Sequence, residues 1–121
     1  MNYIALTYGD QAVGLPQALK AAGLDKKVKI VGRAGTSLNF HIIKDGGPQM
    51  ADIGFPVRLF SWGLVDTAAR LLAGQDASAP YAQITQILTS DTMDFEPQDN
   101  PSWFGVPDFE EQFEDSWGTA S

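Results

Sequence analysis

The sequence predicts an α/β fold built on a three-layer, doubly wound parallel sheet, and three features predict it. Residues Tyr3–Gly74 follow a strand, helix, strand, helix, strand, helix rhythm. Glycines punctuate the rhythm at the turns, at Gly9, Gly23, Gly32, Gly35, Gly54 and Gly74. The runs between them switch between β-branched strand formers, as in Val28-Lys29-Ile30-Val31, and apolar residues at helical spacing.

Asn2–Thr7 is an apolar run of strand length, and Tyr8-Gly9-Asp10 is its strand-to-helix turn, with Asp10 a candidate N-cap. Ala12, Leu15, Leu19 and Ala22 then recur at helical spacing. Pro16 cannot lie deep in a helix without removing a backbone bond, so the helix starts near Val13 and stops at Gly23. Val28–Gly32 is the second strand and Arg33-Ala34-Gly35 its exit. Thr36 or Ser37 caps a short helix carrying Leu38, Phe40, Ile42 and Ile43, which Asp45-Gly46-Gly47 breaks. Met50–Phe55 is the third strand, weakened by Asp52 and ended by Pro56.

Val57–Ala73 is the longest helix. Phe60, Leu64, Ala68 and Leu72 fall on one face, and Asp66 and Arg70 form an i,i+4 pair opposite, with Gly74 as the stop. Residues 75–80 form a loop, and Ile84–Thr89 is a fourth strand. Beyond it, Pro97, Pro101 and Pro107 separate short pieces, and only Asp108–Trp117 shows helical periodicity.

With 121 residues and 44% apolar side chains, the chain has room for one globular core. No run is long and apolar enough to span a membrane, and the N-terminus lacks a secretion signal. Cysteine is absent, which excludes disulfides and thiolate sites. The net charge of −7 is uneven: residues 1–90 carry eight basic and six acidic side chains, residues 91–121 nine acidic and none basic. Without clustered Lys and Arg there is no electrostatic footprint for nucleic acid or for anionic membranes. Six of the thirteen aromatic residues lie in the acidic segment: Phe95, Trp103, Phe104, Phe109, Phe113 and Trp117. A disordered acidic tail is aromatic-poor, so these rings are expected to dock on the body or on a neighbouring molecule.

Ligands of open parallel sheets bind beyond the carboxyl ends of the strands, which selects three turns: Tyr8–Gln11, Arg33–Thr36 and Phe55–Arg58. The candidate ligand-binding residues there are Tyr8, Asp10, Gln11, Arg33 and Phe55. Trp62, followed by Gly63, is either a stacking platform for a sugar or a core anchor. His41 is the only histidine, so neither a triad nor a multi-histidine metal site forms within one chain. Asp91, Asp94, Glu96 and Asp99 lack the loop glycine and register of a calcium hand. Gly32–Thr36 lacks the Gly-Lys-Ser/Thr ending of a phosphate loop. No nucleophile has a base at a defined spacing, so no catalytic residue, cofactor or metal is expected.

Tyr3–Gly14, Gln17–Gly23 and Val28–Gly32 together resemble the C-terminal part of type I periplasmic sugar-binding proteins, the substrate receptors of ABC transporters, and the effector domains of LacI-type repressors. Gly54-Phe55-Pro56 with Trp62–Gln75 is similar to the family's helix after the last interlobe crossing, and Phe109–Gly118 to its closing helix. The resemblance implies a partial periplasmic-binding-protein-like lobe over residues 1–90 and an extension with a short terminal helix over 91–121. It implies capture of a small molecule, such as a sugar, in an extracytoplasmic parent protein that delivers to an ABC permease. It also implies that the chain is the last third of a two-lobed molecule. The partner of its long helix would be the missing N-terminal lobe or a second copy. Where the family often has an Asn-Asp pair, an Asp and a Gln in the three turns, this chain has Tyr8-Gly9, Ala34 and Phe55. Then either the ligand is less polar, or Asp10, Arg33 and Gln11 substitute, or binding has been lost. The competing reading is an oligomeric interaction module that self-associates through the long helix and tail.

Overall fold

The computed structural model describes residues 2–77, 84–97 and 102–118. Positions 78–80 of the expected loop, with Asp99 and Pro101, lie outside them. Strands β1 (Asn2–Ala5), β2 (Val28–Arg33) and β3 (Gln49–Gly54) run parallel, and β4 (Gln86–Leu88) is antiparallel to β3, in the order β1-β2-β3-β4. Helix α1 (Leu15–Ala21) joins β1 to β2 and α2 (Ser37–Lys44) joins β2 to β3. A single 3-10 turn, Gly9–Ala12, precedes α1, which starts at Gly14 in the left-handed region and carries Pro16 in its first turn. There the missing proline N–H removes no helical bond.

This is an α/β fold with a mostly parallel, mixed sheet rather than a fully parallel one. Both crossovers step the same way across the sheet, and right-handed crossovers that step the same way lie on the same face. Leu15 and Leu19 of α1 accordingly pack with Ile4, Val28 and Ile30, and Phe40 and Ile43 of α2 pack with Leu88 on that same face. The expected third layer is not found among the described residues. Tyr3, Ile53 and Ile87, on the other face, are exposed at 58%, 43% and 64%.

The acidic segment docks as its aromatic residues predict. Met93 and Trp103 are buried with Phe40, Ile43 and Leu88, and Phe95 packs edge-on to Phe40 at 5.2 Å. Ser37 Oγ donates to the Pro97 carbonyl at 2.6 Å, Lys44 pairs with Glu96 at 2.9 Å, and Thr36 bridges Ser102. Helix α4 (Phe109–Trp117) lies on α3 (Val57–Leu72), with the Trp117 indole stacked on Trp62 at 5.4 Å and Phe109 and Phe113 around it. Arg58 pairs with Glu110 across the seam and sits over the Phe104 ring.

Helix α3 turns its apolar stripe away from the rest of the described residues. Its i,i+4 pair forms, Arg70 Nε to Asp66 Oδ2 at 2.6 Å, but Asp66 is buried and also accepts from Trp117 Nε1 at 2.7 Å. The apolar stripe faces outward instead, with Leu64 56% and Leu72 91% exposed. The face of α3 that carries Trp62 and Asp66 meets α4.

Trp103 joins the tail to the core, and a buried Trp truncated to Ala typically costs about 3–5 kcal/mol. Trp103→Ala should lower the urea midpoint accordingly; an unchanged midpoint would show that the tail does not contribute to the core.

Candidate functional site

The turns beyond the carboxyl ends of β1 and β2 meet around buried polar side chains of α2 and β3. Asn39, at the third position of α2, donates from Nδ2 to the Gly9 carbonyl at 3.1 Å and to Gln49 Oε1 at 2.9 Å. Its Oδ1 accepts from the Thr36 backbone N–H at 2.9 Å and from the Thr36 hydroxyl at 3.2 Å, closing the helix N-terminus. Gln49 Nε2 donates to Asp52 Oδ2 at 3.1 Å, and the Gly35 N–H donates to Asp52 Oδ1 at 2.9 Å. A continuous chain of hydrogen bonds thus links the turn after β1 to the turn after β2 and to β3.

The glycines of this region are dictated by that chain. A Cβ on Gly32 would lie 2.4 Å from Asp52 Oδ2 and 2.7 Å from Gln49 Nε2. One on Gly9 would meet Asn39 Oδ1 at 2.7 Å and the Ala34 carbonyl at 2.9 Å. The glycine-rich exit of β2 therefore makes room for a carboxylate of the protein itself, in keeping with its mismatch to a phosphate loop. Burial pushes the Asp52 carboxyl up from 3.8 to about 6, against the opposing pull of the Gly35 and Gln49 hydrogen bonds.

Of the residues selected from sequence, Arg33 and Phe55 come together. The exposed Arg33 guanidinium lies 4.7 Å over the half-buried Phe55 ring, which also tilts against Phe60 at 5.6 Å. Tyr8 and Asp10 are exposed on the turn that packs against Ala34 and Gly35. Asp10 is not the expected cap, because Tyr8 precedes the 3-10 turn and Gly14 caps α1. The Gln11 side-chain Oε1 is engaged locally, accepting from the Thr7 and Tyr8 backbone N–H groups at 2.9 and 3.2 Å. Trp62 joins none of these turns; its ring sits in the α3–α4 seam.

Asn39, Gln49 and Asp52 were not singled out from sequence. The available signal was a carboxylate inside an apolar strand, seventeen residues after a glycine. A concavity of about 380 Å³ lies along the α3–α4 seam, lined by Phe55, Phe60, Val106, Phe109 and Phe113 with the Asp66–Arg70 pair. Among the described residues no group of acidic or histidine side chains is placed to hold a metal, and no helix is long and apolar enough to cross a membrane. No family model, curated protein or solved structure matches the chain.

The Asp52 shift sets a pH dependence. Because the folded value is raised above 3.8, this group's stabilising contribution is full below about pH 4 and is lost as pH rises through 6. Relative to Asp52→Asn, the wild type should lose about 3 kcal/mol of stability between pH 4 and pH 7. Urea unfolding across that range measures it; a constant gap between the two proteins would contradict the assignment.

Proposed function

We propose that this chain is part of an extracytoplasmic solute-binding protein of an ABC importer and holds a small solute, a sugar or related compound, at the carboxyl ends of β1 to β3. The observation that carries this reading is the approach of the turns, with Arg33 after β2 held over Phe55 after β3, and the turn that bears Tyr8 and Asp10 packed against Ala34 and Gly35. An aromatic face with a guanidinium above it supplies both an apolar surface and directional donors, which a hydroxyl-rich ring needs. The turns are fixed from behind by buried hydrogen bonds, so little ordering is left for ligand binding to cost.

The outward stripe of α3 supports this reading. In the two-lobed parent, the missing N-terminal lobe would cover α3 and supply the other wall of the cleft. Closure of the lobes about their crossings would then enclose the solute and present it to the permease. No chemical transformation is part of this reading.

The α3 stripe also favours a second reading, an oligomeric interaction module that binds no solute. Leu64, Val65, Leu71 and Leu72 form an exposed apolar strip on one helix, the kind of surface that marks association.

Thermal unfolding with sugars, polyols and amino acids tests the first reading. A solute present at a hundred times its Kd should stabilise the chain by about 2.7 kcal/mol, and Arg33→Ala should abolish that shift. A flat response across the panel would reject solute capture by this chain. Sedimentation equilibrium tests the second: a concentration-dependent dimer that Leu64→Lys dissociates would support it, and a monomer at all concentrations would reject it.

A further inference from the structure

We infer that the hollow between α3 and α4 is a binding site for a neutral, flat aromatic compound the size of two fused rings, carrying one hydroxyl or carbonyl group that meets α4. The inference goes beyond the solute reading. Of the residues offered there to a solute, Phe55 lines the hollow, whereas Tyr8, Asp10 and Arg33 do not.

The hollow follows from the order of large and short side chains on the two helices. Along α4, Phe109, Gln112, Phe113 and Ser116 recur at helical spacing and form one stripe, which faces Leu59, Phe60, Asp66 and Arg70 on α3. Packed helices ordinarily fill such a seam by interdigitating side chains. Here the bulk gathers around two indoles: Trp62 and Trp117 stack at 5.4 Å, and Phe113 tilts against them at 6.0 and 5.7 Å. Next to them α4 supplies a serine and a glutamine, and about 380 Å³ is left unfilled. Phe60 and Ile84 stand on the wall of this space and remain 41% and 40% exposed.

Size, shape and charge of the wall each restrict the occupant. An apolar cavity of about 150 Å³ holds one benzene ring, so a space of about 380 Å³ holds two fused rings with a short substituent. Phe55, Phe60, Phe109 and Phe113 present ring faces and edges to it, and aromatic rings pair with one another in offset or edge-on geometry. Among the described residues the charged groups of the wall are Asp66 and Arg70, which are bonded to each other at 2.6 Å. Asp66 also accepts from Trp117 Nε1. The charge of the wall therefore sums to zero, and an entering ion would lose its water without gaining an unmatched countercharge. A neutral ring system avoids that penalty.

The remaining polar side chains of the wall are Gln112 and Ser116, four residues apart on α4. An amide and a hydroxyl can each donate and accept, so a hydroxyl or a carbonyl on the ligand suits them equally. A sugar does not suit the space, because its hydroxyls outnumber these groups and most would be buried against phenylalanine without partners.

Naphthol, uncharged at pH 7, is the probe, with naphthoate and naphthylmethylammonium as carriers of the same rings with one negative or one positive charge. Calorimetric titration of the full chain should show one naphthol bound per chain with a Kd below about 1 mM, and binding of both ions weaker by about tenfold or more. Ser116→Trp, at an exposed position on the wall, should fill the hollow and weaken naphthol binding by about tenfold or more. Arg33→Ala should leave naphthol binding unchanged, which separates this site from the solute reading. In the wild type, nuclear Overhauser contacts should run from naphthol to the rings of Phe60 and Phe113, and these decide alone if Ser116→Trp does not fold. Absence of saturation, an ion binding as tightly as naphthol, unchanged binding in a folded Ser116→Trp, or contacts outside the seam would each overturn the inference. Naphthol binding that weakens as the chain concentration rises would show that a second copy fills the hollow, and would overturn it too.

Discussion

Asp52 sits where a parallel sheet would ordinarily place an aliphatic side chain, and the arrangement of its surroundings follows from keeping a carboxylate there. A buried acid must be supplied with donors or it neutralises. The donors come from Gly35 and Gln49, and bringing the Gly35 N–H within 2.9 Å requires the β2 exit to pass directly over the carboxyl group. That approach leaves no room for a Cβ at Gly32 or Gly35. Gln49 in turn needs an acceptor-seeking partner, which Asn39 supplies, and Asn39 reaches the Gly9 carbonyl. One buried carboxyl thus ties together three glycines, two amides and the relative positions of the turns after β1 and β2.

The spacing of residues made the elements legible. The Val28 run, the Thr36 start of α2, the Val57 start of α3 and the Phe109–Trp117 helix follow from local chemistry, since periodicity, caps and glycine stops act within a few residues. The layering was not legible. Whether successive crossovers step the same way is decided by which strands pair, and periodicity within β1 or β2 carries no information on that. The antiparallel entry of β4 is of the same kind. In the site, the turns could be chosen because parallel sheets expose donors at one end, and Arg33 and Phe55 do meet there. Asn39 and Gln49 were invisible because a buried amide looks like any surface amide until its partners are known.

Helix α3 shows that an apolar stripe is not always the face a helix docks with. Two faces competed for α4: a stripe of Leu64, Ala68 and Leu72, and a face with Trp62, Gly63 and Asp66. The second wins because Trp62 offers a flat ring to Trp117, Phe109 and Phe113, and Gly63 lets the helices approach. Aromatic pairs contribute about 0.5–1.5 kcal/mol beyond the area they bury. Asp66 is carried into the seam as a consequence, and it is tolerated because Arg70 and the Trp117 N–H satisfy it. The outward stripe is therefore a by-product of α4 docking, and any partner for it must come from beyond α4.

The acidic tail has a further consequence for the turns. Its aromatic side chains fill the space under α2, and Ser37, at the start of that helix, is tied to the Pro97 carbonyl while Thr36 bridges Ser102. Asn39 lies on the same first turn of α2, so the tail fixes the element from which the Gly9 and Gln49 bonds are made. An amide network with one orientation needs its anchor points held to within a fraction of a hydrogen-bond length, because a misplaced donor in a dry interior is worse than an apolar contact. Packing of Met93, Phe95 and Trp103 against Phe40 supplies that rigidity from the side opposite the turns. Residues far along the chain from Asn39 are in this way part of what holds its bonds to Gly9 and Gln49 in place.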